Sequence, residues 1–425
     1  MKKRFKLSAG ELSWVLYDVG NSAFVLVIIT ALMPIFFKDV VAVTMSGAES
    51  TARWGFANSL SALVLALLAP LLGAMADHGA RKKQFLLFFL GLGVGFTLLL
   101  TTVGANQWLY CLFLLVIARI GWGGANIFYD AFLVDVATYE RMDRVSALGY
   151  GYGYVGSVVP FVLIIGLIFS AGISGGLPVH ETRMGFAVVA LWWLGLSVPL
   201  VLNVRQRYRT ADGNGSVIYG LRRVAATFLE ISSHHQIFVF LAAYFFYIDG
   251  IGTLISMSTA YGIDLGFSPA MMLVVLLFIQ LVAFPSTIVY GWLSGRFGVK
   301  NMLYCGIAIY IVATVMGFCL SFELQPLVRS CLFWAVAFLI ASAMGGMQAL
   351  SRSYFARLIP VERSAEFFGF YNVFGKFAAI SGPLLMGLVA AATGQSRWGL
   401  LSILVLFAAG GLLLARVEDP GLDGD

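Results

Sequence analysis

The chain has 425 residues, 60% hydrophobic and 11% charged, with a formal net charge of +6. A soluble domain carries about 25% charged residues. With a mean hydropathy of +0.91, the composition excludes an ordinary soluble enzyme or nucleic-acid-binding domain and describes an integral membrane protein.

A helix that spans a bilayer needs ~20 mostly apolar residues. In chain order the segments that qualify are 13–37, 52–76, 84–104, 108–137, 147–173, 184–204, 236–262, 269–294, 300–320, 328–358, 367–393 and 396–416. These twelve predict an all-α membrane protein. MKKRFK at the start is similar to a signal-peptide n-region, but the apolar run after it is too long and contains Asp18. It also ends without a small-residue cleavage site, so it reads as a retained first helix. The longest connection, 205–235, opens with Arg205, Arg207 and Arg209 and turns through DGNGS. Val217, Ile218, Leu221, Val224, Ala225 and Phe228 then recur at helical spacing. This predicts an amphipathic helix lying on the membrane face or packed on the bundle. The expected organisation is a first bundle over 1–204, this linker over 205–235, a second bundle over 236–416 and a tail over 417–425.

Orientation follows from Lys and Arg in the connections. With the N-terminus inside, twenty of the 27 fall in inside segments, from Lys2, Lys3, Arg4 and Lys6 through Arg81, Lys82 and Lys83 to Arg416. Five (Lys38, Arg53, Arg183, Arg329 and Arg397) fall outside, and Arg119 and Lys376 lie within spans. Both termini are therefore expected in the cytoplasm. The basic charge reads as membrane topology, so no nucleic-acid partner is expected.

The two halves resemble each other. GAMADHGARKK (73–83) answers GWLSGRFGVKN (291–301) at an offset of 218, and GGANIFYDAFLVD (123–135) answers GGMQALSRSYFAR (345–357) at 222. Parallel six-helix repeats are a known transporter plan, with the substrate site near the midplane at the repeat interface.

These features resemble the major facilitator superfamily. Gly73-x-x-x-Asp77-x-x-x-Arg81-Lys82 is similar to that superfamily's loop motif between spans two and three, with His78 where Arg is usual and Ala80 where Gly is usual. Arg119-x-x-x-Gly123-Gly124-Ala125 resembles the fourth-span motif of proton-coupled antiporters, with Trp122 in place of a common Gln. Gly149, Gly156 and Pro160 are similar to the fifth-span antiporter motif, without its Gly before the proline. LYDVGNSAF, NIFYDAF, YFFYIDGIGTLISM, QALSRSYFARLIP and EFFGFYNVFGKFAAISGP resemble the vacuole-effluxer-like branch, also called the unknown major facilitator family. The resemblance covers essentially the whole chain. It implies two pseudo-symmetric six-helix bundles, transport by alternating access, a bacterial inner-membrane location and a monomer. The fungal vacuolar members of the branch are associated with amino-acid efflux.

Polar residues inside spans are the candidate site. Asp18 and Asn21 share a face of the first span, Asn126 and Asp130 one of the fourth, Gln348 and Arg352 one of the tenth, and Asn372 and Lys376 one of the eleventh. By the repeat offset Arg352 is the counterpart of Asp130, with opposite charge. A charge network of Asp18, Asp130, Arg352 and Lys376 is expected to close the cytoplasmic end of the cavity and break as the halves rock apart. Alternatively Asp18 reaches interfacial water, and Asp130 pairs with Arg141 or Arg144. Gly73, Asp77, Arg81 and Lys82 form the expected gating motif, with Asp77 and Arg81 as an inter-helix latch. Arg119, near the midplane, has Ala341 as its repeat counterpart and is expected to bind an anionic group or set the proton affinity of a carboxylate. Asp249, beside Tyr247 in the seventh span, is the expected proton carrier. Gly250 and Gly252 after it predict a weakened helix. A structural salt bridge involving Arg119 and Asp249 is the plainer alternative.

Gly151-x-Gly153-x-x-Gly156 matches a dinucleotide fingerprint in spelling only, because no strand precedes it. Gly149, Gly153 and Gly156 read instead as a helix face for close packing. The cysteines Cys111, Cys305, Cys319 and Cys331 lie in apolar runs without Cys-x-x-Cys spacing and read as inert buried thiols. No catalytic residue, metal site or cofactor is expected. The function expected is secondary active transport of a small polar solute, such as an amino acid, with protons. Efflux is favoured over import, and a membrane enzyme or non-transporting receptor is the remote alternative.

Overall fold

Hydrocarbon offers no partner to a backbone N–H or C=O, so each apolar run satisfies its own backbone as a helix. The computed structural model describes residues 6–172, 177–210, 234–264, 269–323 and 325–418. Side chains are described at all of these except 47, 48, 51, 52, 256–264, 269, 270, 272, 273, 376, 379 and 380. The long helices in chain order are α1 Ala9–Val41, α2 Gly47–Asp77, α3 Lys82–Thr102, α4 Trp108–Val136, α5 Met142–Ala171 and α6 Val179–Asn203. They continue with α7 His235–Asp264, α8 Pro269–Phe297, α9 Val299–Cys319, α10 Pro326–Leu358, α11 Ser364–Thr393 and α12 Ser396–Ala415. Among the described residues, eleven helices are long and apolar enough to cross a membrane. α11 stands where the eleventh predicted span lies and carries a shorter apolar stretch, Ser381–Thr393.

Local chemistry sets the helix starts. Ser8 and Glu11 form a reciprocal capping box at α1, and the Ser46 hydroxyl accepts from Glu49 N–H at α2. The turn between α2 and α3 puts Gly79 and Ala80 at φ of 66° and 59°. The repeat counterpart of Ala80 is Gly298, at φ 84°. Both halves thus make a left-handed turn here, and the first half makes it with a side chain in place.

Packing divides the chain into two units. The first comprises Met1–Thr138, Tyr152–Val224 and Val361–Phe370; the second comprises Tyr139–Gly151, Ala225–Pro360 and Tyr371–Asp425. Within the first, α3 packs on α4 and α6, α1 on α6, and α2 on α4. Within the second, α9 packs on α10 and α12, α7 on α12, and α8 on α10. Adding six to each helix number of the first set yields the second, so the sequence repeat is also a repeat of packing. The starts of α5 and α11 depart from the division expected at 205–235. The start of α11 packs on α2 in the first unit, where Gly369 lies against the backbone of Ala69 and Pro70. The start of α5 packs on α8 in the second, where Gly291 lies against Ala147.

Two expectations are corrected. α7 is one continuous helix through Gly250 and Gly252. Gly250 serves packing, since a Cβ there would stand 2.8 Å from the Phe407 ring. The irregular helix is α1, where Phe24–Leu32 and Phe37–Val41 take wide π-type turns around Pro34. Cys305 and Cys331 are exposed on their helices and only Cys111 is fully buried. The amphipathic helix expected within 205–235 falls on 211–233, outside the described residues.

Candidate functional site

In the first unit, the polar residues of α1 and α4 meet. Asn126 Nδ2 donates to Asn21 Oδ1 at 3.1 Å and to Trp122 O at 3.1 Å. One turn along, the Tyr129 ring stacks with Trp14 and Tyr17 at 4.5 and 4.6 Å, and Trp14 Nε1 donates to Tyr129 O. Asp18 is buried beside this stack and Asp130 is half-buried. Asp18, Asn21, Asn126 and Asp130 therefore occupy one seam between two helices. Gly153 and Gly156 of α5 close on the same stretch of α1, against Ser22 and Val19. Two turns from Asn126, Arg119 donates from Nε to Ser61 Oγ of α2 at 3.2 Å. Among the described residues of its unit, no carboxylate lies at ion-pair distance from it.

A second cluster joins the ends of α2 and α4 to the starts of α3 and α11. The buried Asp77 carboxylate accepts from Ala365 N–H at 3.2 Å and Glu366 N–H at 2.9 Å, the first turn of α11. A carboxylate at a helix N-terminus satisfies orphan donors and meets the positive end of the dipole. The buried Lys82 ammonium sits 3.7 Å from Asp77, 3.0 Å from Asp135, and donates to Ser364 Oγ at 2.6 Å. Asp135 also accepts from Arg207 and Tyr208 N–H at 2.6 and 3.1 Å, which ties down the start of the linker. Gly73 is required here: a Cβ would fall 2.6 Å from the Ala365 carbonyl carbon. The expected latch between Asp77 and Arg81 is corrected. Arg81 is exposed, and Asp77 spends its oxygens on Lys82 and the α11 backbone.

The second unit carries its own version with the charges exchanged. Arg357 pairs with Asp143 at 2.6 Å, and Ser353 Oγ donates to the other Asp143 oxygen at 2.6 Å. By the 222 offset Arg357 is the counterpart of Asp135. Arg352 is buried, donates to Ser146 Oγ at 3.0 Å and Ser146 O at 3.1 Å, and lies over the Tyr150 ring at 4.3 Å. Tyr247 exchanges a 2.7 Å hydrogen bond with Ser351, and Tyr244 stacks on Tyr371 at 4.2 Å. Gln348 and Asn372 are half-buried on α10 and α11. The side chain of Lys376 lies outside the described residues.

Asp249 is fully buried between α7 and α11. It accepts from Gly382 N–H at 2.9 Å, from Thr253 Oγ1 at 3.4 Å and from Ser381 Oγ. Gly382 permits this approach, since a Cβ would stand 2.6 Å from the carboxylate. Among the described residues of its unit no cation reaches ion-pair distance, and its described partners are neutral hydroxyl and amide donors.

The model of the family described as vacuole effluxer Atg22-like matches residues 39–142 and 134–420. The uncharacterized MFS-type transporter YxiO of Bacillus subtilis is 44% identical over 99% of this chain and 96% of its own length. The chain belongs to the vacuole-effluxer-like family of major facilitator transporters. A fungal relative, autophagy-related protein 22 of Coccidioides immitis, is 22% identical over 85% of this chain and 71% of its own. The fold matches solved transporters of the superfamily: FucP in its outward conformation at TM-score 0.71 and 15% identity, covering 96% and 98% of the two chains. The human organic anion transporter MFSD10 matches at TM-score 0.70 and 15% identity, with the same coverage.

For a vacuole-effluxer-like protein this assigns the chain to transport rather than catalysis. Several residues that build its polar clusters were missed by sequence reasoning: Asp135, Asp143, Ser146, Ser353, Arg357, Ser364, Ser381 and Gly382. The repeat offset held a signal for one pair, because Asp135 and Arg357 exchange charge just as Asp130 and Arg352 do. Nothing local marked Ser381 and Gly382, which matter only because α7 delivers a carboxylate to them.

Proposed function

We propose that this vacuole-effluxer-like transporter exports a small polar solute, an amino acid foremost, in exchange for protons. The observation that carries the reading is Asp249: a buried carboxylate held by hydroxyl and amide donors, with no cation paired to it among the described residues. Protonating such a group breaks no ion pair, whereas protonating a buried salt-bridged carboxylate strands a cation. Asp249 is the proton carrier in this reading. Arg119, whose described hydrogen bond goes to a neutral serine, binds the carboxylate of the solute. Asp18, Asn21, Asn126, Tyr247, Gln348 and Asn372 line the solute's path. Asp130, Arg352 and Lys376 are the charged groups of its cytoplasmic gate. The amino-acid class and the direction are supported by the effluxer description of the family and by the antiporter-like segments. The protein works as a monomer in the plasma membrane, with both termini in the cytoplasm.

The test is purified full-length protein in proteoliposomes with an imposed pH gradient and a panel of radiolabelled amino acids. At least one is expected to accumulate uphill on the side from which protons leave, with a protonophore abolishing the accumulation. Accumulation on the opposite side would establish import instead. No pH-driven movement of any amino acid, with an organic acid or sugar moving in its place, would overturn the substrate class.

A further inference from the structure

On the surface of the first unit, α2 and α4 leave a groove of about 580 Å³. Phe56 and Leu60 of α2 and Leu112 and Phe113 of α4 wall it, and Arg53 and Trp108 stand at its mouth. Arg53 is the first residue of the apolar stretch Arg53–Asp77, and Trp108 the first of Trp108–Val136. The mouth therefore lies where hydrocarbon gives way to headgroups, the level at which tryptophan gathers. The walls lie deeper, in hydrocarbon, and Phe56 and Phe113 are 71% and 55% exposed to it.

The mouth is chemically specific. The Arg53 guanidinium lies over the Trp108 ring, its Cζ 3.6 Å from the centroid. Its Nη2 pairs with Glu49 at 2.6 Å, while its Nη1 is buried and has no hydrogen-bond partner among the described residues. A buried guanidinium N–H without an acceptor is costly, and a phosphate oxygen is the strong acceptor available at that depth. Glu49, exposed beside it, selects among headgroups. It repels a headgroup that is anionic only. A quaternary choline has no N–H to offer it, whereas a primary ammonium has three.

We propose that this groove binds one phospholipid carrying an ethanolamine headgroup. An acyl chain fills the apolar walls, the phosphate meets Arg53 and the ammonium meets Glu49. The site is independent of the transport reading, because none of its residues belongs to the proposed solute or proton path.

Delipidated full-length protein in detergent is titrated with dioleoyl-phosphatidylethanolamine, dioleoyl-phosphatidylcholine and dioleoyl-phosphatidylglycerol and read by native mass spectrometry. One ethanolamine lipid is expected to bind roughly tenfold more tightly than either of the others, a difference of about 1.4 kcal/mol. Glu49→Gln, at an exposed side chain, and Arg53→Gln should each bring the ethanolamine lipid to the level of the choline lipid. Leu60→Trp, which fills the groove, should weaken all three. Equal binding of the three lipids, or a preference that survives both mouth substitutions, would show an unselective lipid shell and overturn the proposal. Undiminished binding in Leu60→Trp would remove the groove as its location.

Discussion

Asp249 shows how one residue can be placed by a neighbour that has no side chain. Its carboxylate reaches the backbone of α11 because position 382 is glycine. Gly382→Ala should overpack this contact at a cost of about 1–3 kcal/mol, seen as a lower thermal midpoint in detergent together with lost transport. Asp249→Asn keeps the shape, an acceptor for Gly382 N–H and a donor toward Ser381, and loses only the titration. It should insert normally, fail to accumulate solute in response to a pH gradient, and still exchange labelled for unlabelled solute at equal pH. A mutant that responds fully to the gradient would make Asp249 structural. Ala80 offers a second residue-scale test. Its φ of 59° is a left-handed conformation that Gly298 adopts in the repeat without a side chain. Ala80→Gly should stabilise the protein by up to about 1 kcal/mol, measured as a raised thermal midpoint with transport unchanged.

At the scale of elements, the clusters at the helix ends are two solutions to one packing problem. In each unit a helix end rich in small residues meets the start of a helix from elsewhere in the chain, α2 with α11 and α8 with α5. The first solution uses Asp77 as a cap on α11, with Lys82 holding Asp77, Asp135 and Ser364 together. The second uses Asp143 as the acceptor for Arg357 and Ser353. Removing one member of a buried ion pair strands the other, at about 3–5 kcal/mol. Lys82→Met should therefore destabilise strongly, because two carboxylates lose their cation at once. Arg81→Met, at an exposed neighbour, should leave the thermal midpoint nearly unchanged. A comparable loss in both would contradict the assignment of the latch to Lys82.

For the whole molecule, the asymmetry of Lys and Arg predicts where the connections lie. The test is Asn214→Cys in a background with Cys111, Cys305, Cys319 and Cys331 replaced, which the exposure of Cys305 and Cys331 makes necessary. The introduced thiol should resist an impermeant maleimide applied to intact cells and react after permeabilisation. Labelling in intact cells would reverse the orientation.

The long apolar helices and the internal repeat were legible in the sequence because their physics is local. An apolar run of ~20 residues has one way to satisfy its backbone in lipid, and a duplicated unit keeps its spacing. The family was legible in short motifs such as Gly73 to Lys82, and the identity with YxiO agrees with it. Much of the candidate site was not legible. The wide turns of α1 and the continuity of α7 depend on what packs beside them, as Gly250 does on Phe407. The partners that decide the chemistry, Lys82 for Asp135 across 53 residues and Gly382 for Asp249 across 133, come from contacts between helices. Such contacts have no spacing along the chain, because the bundle sets their geometry and not the pitch of any one helix.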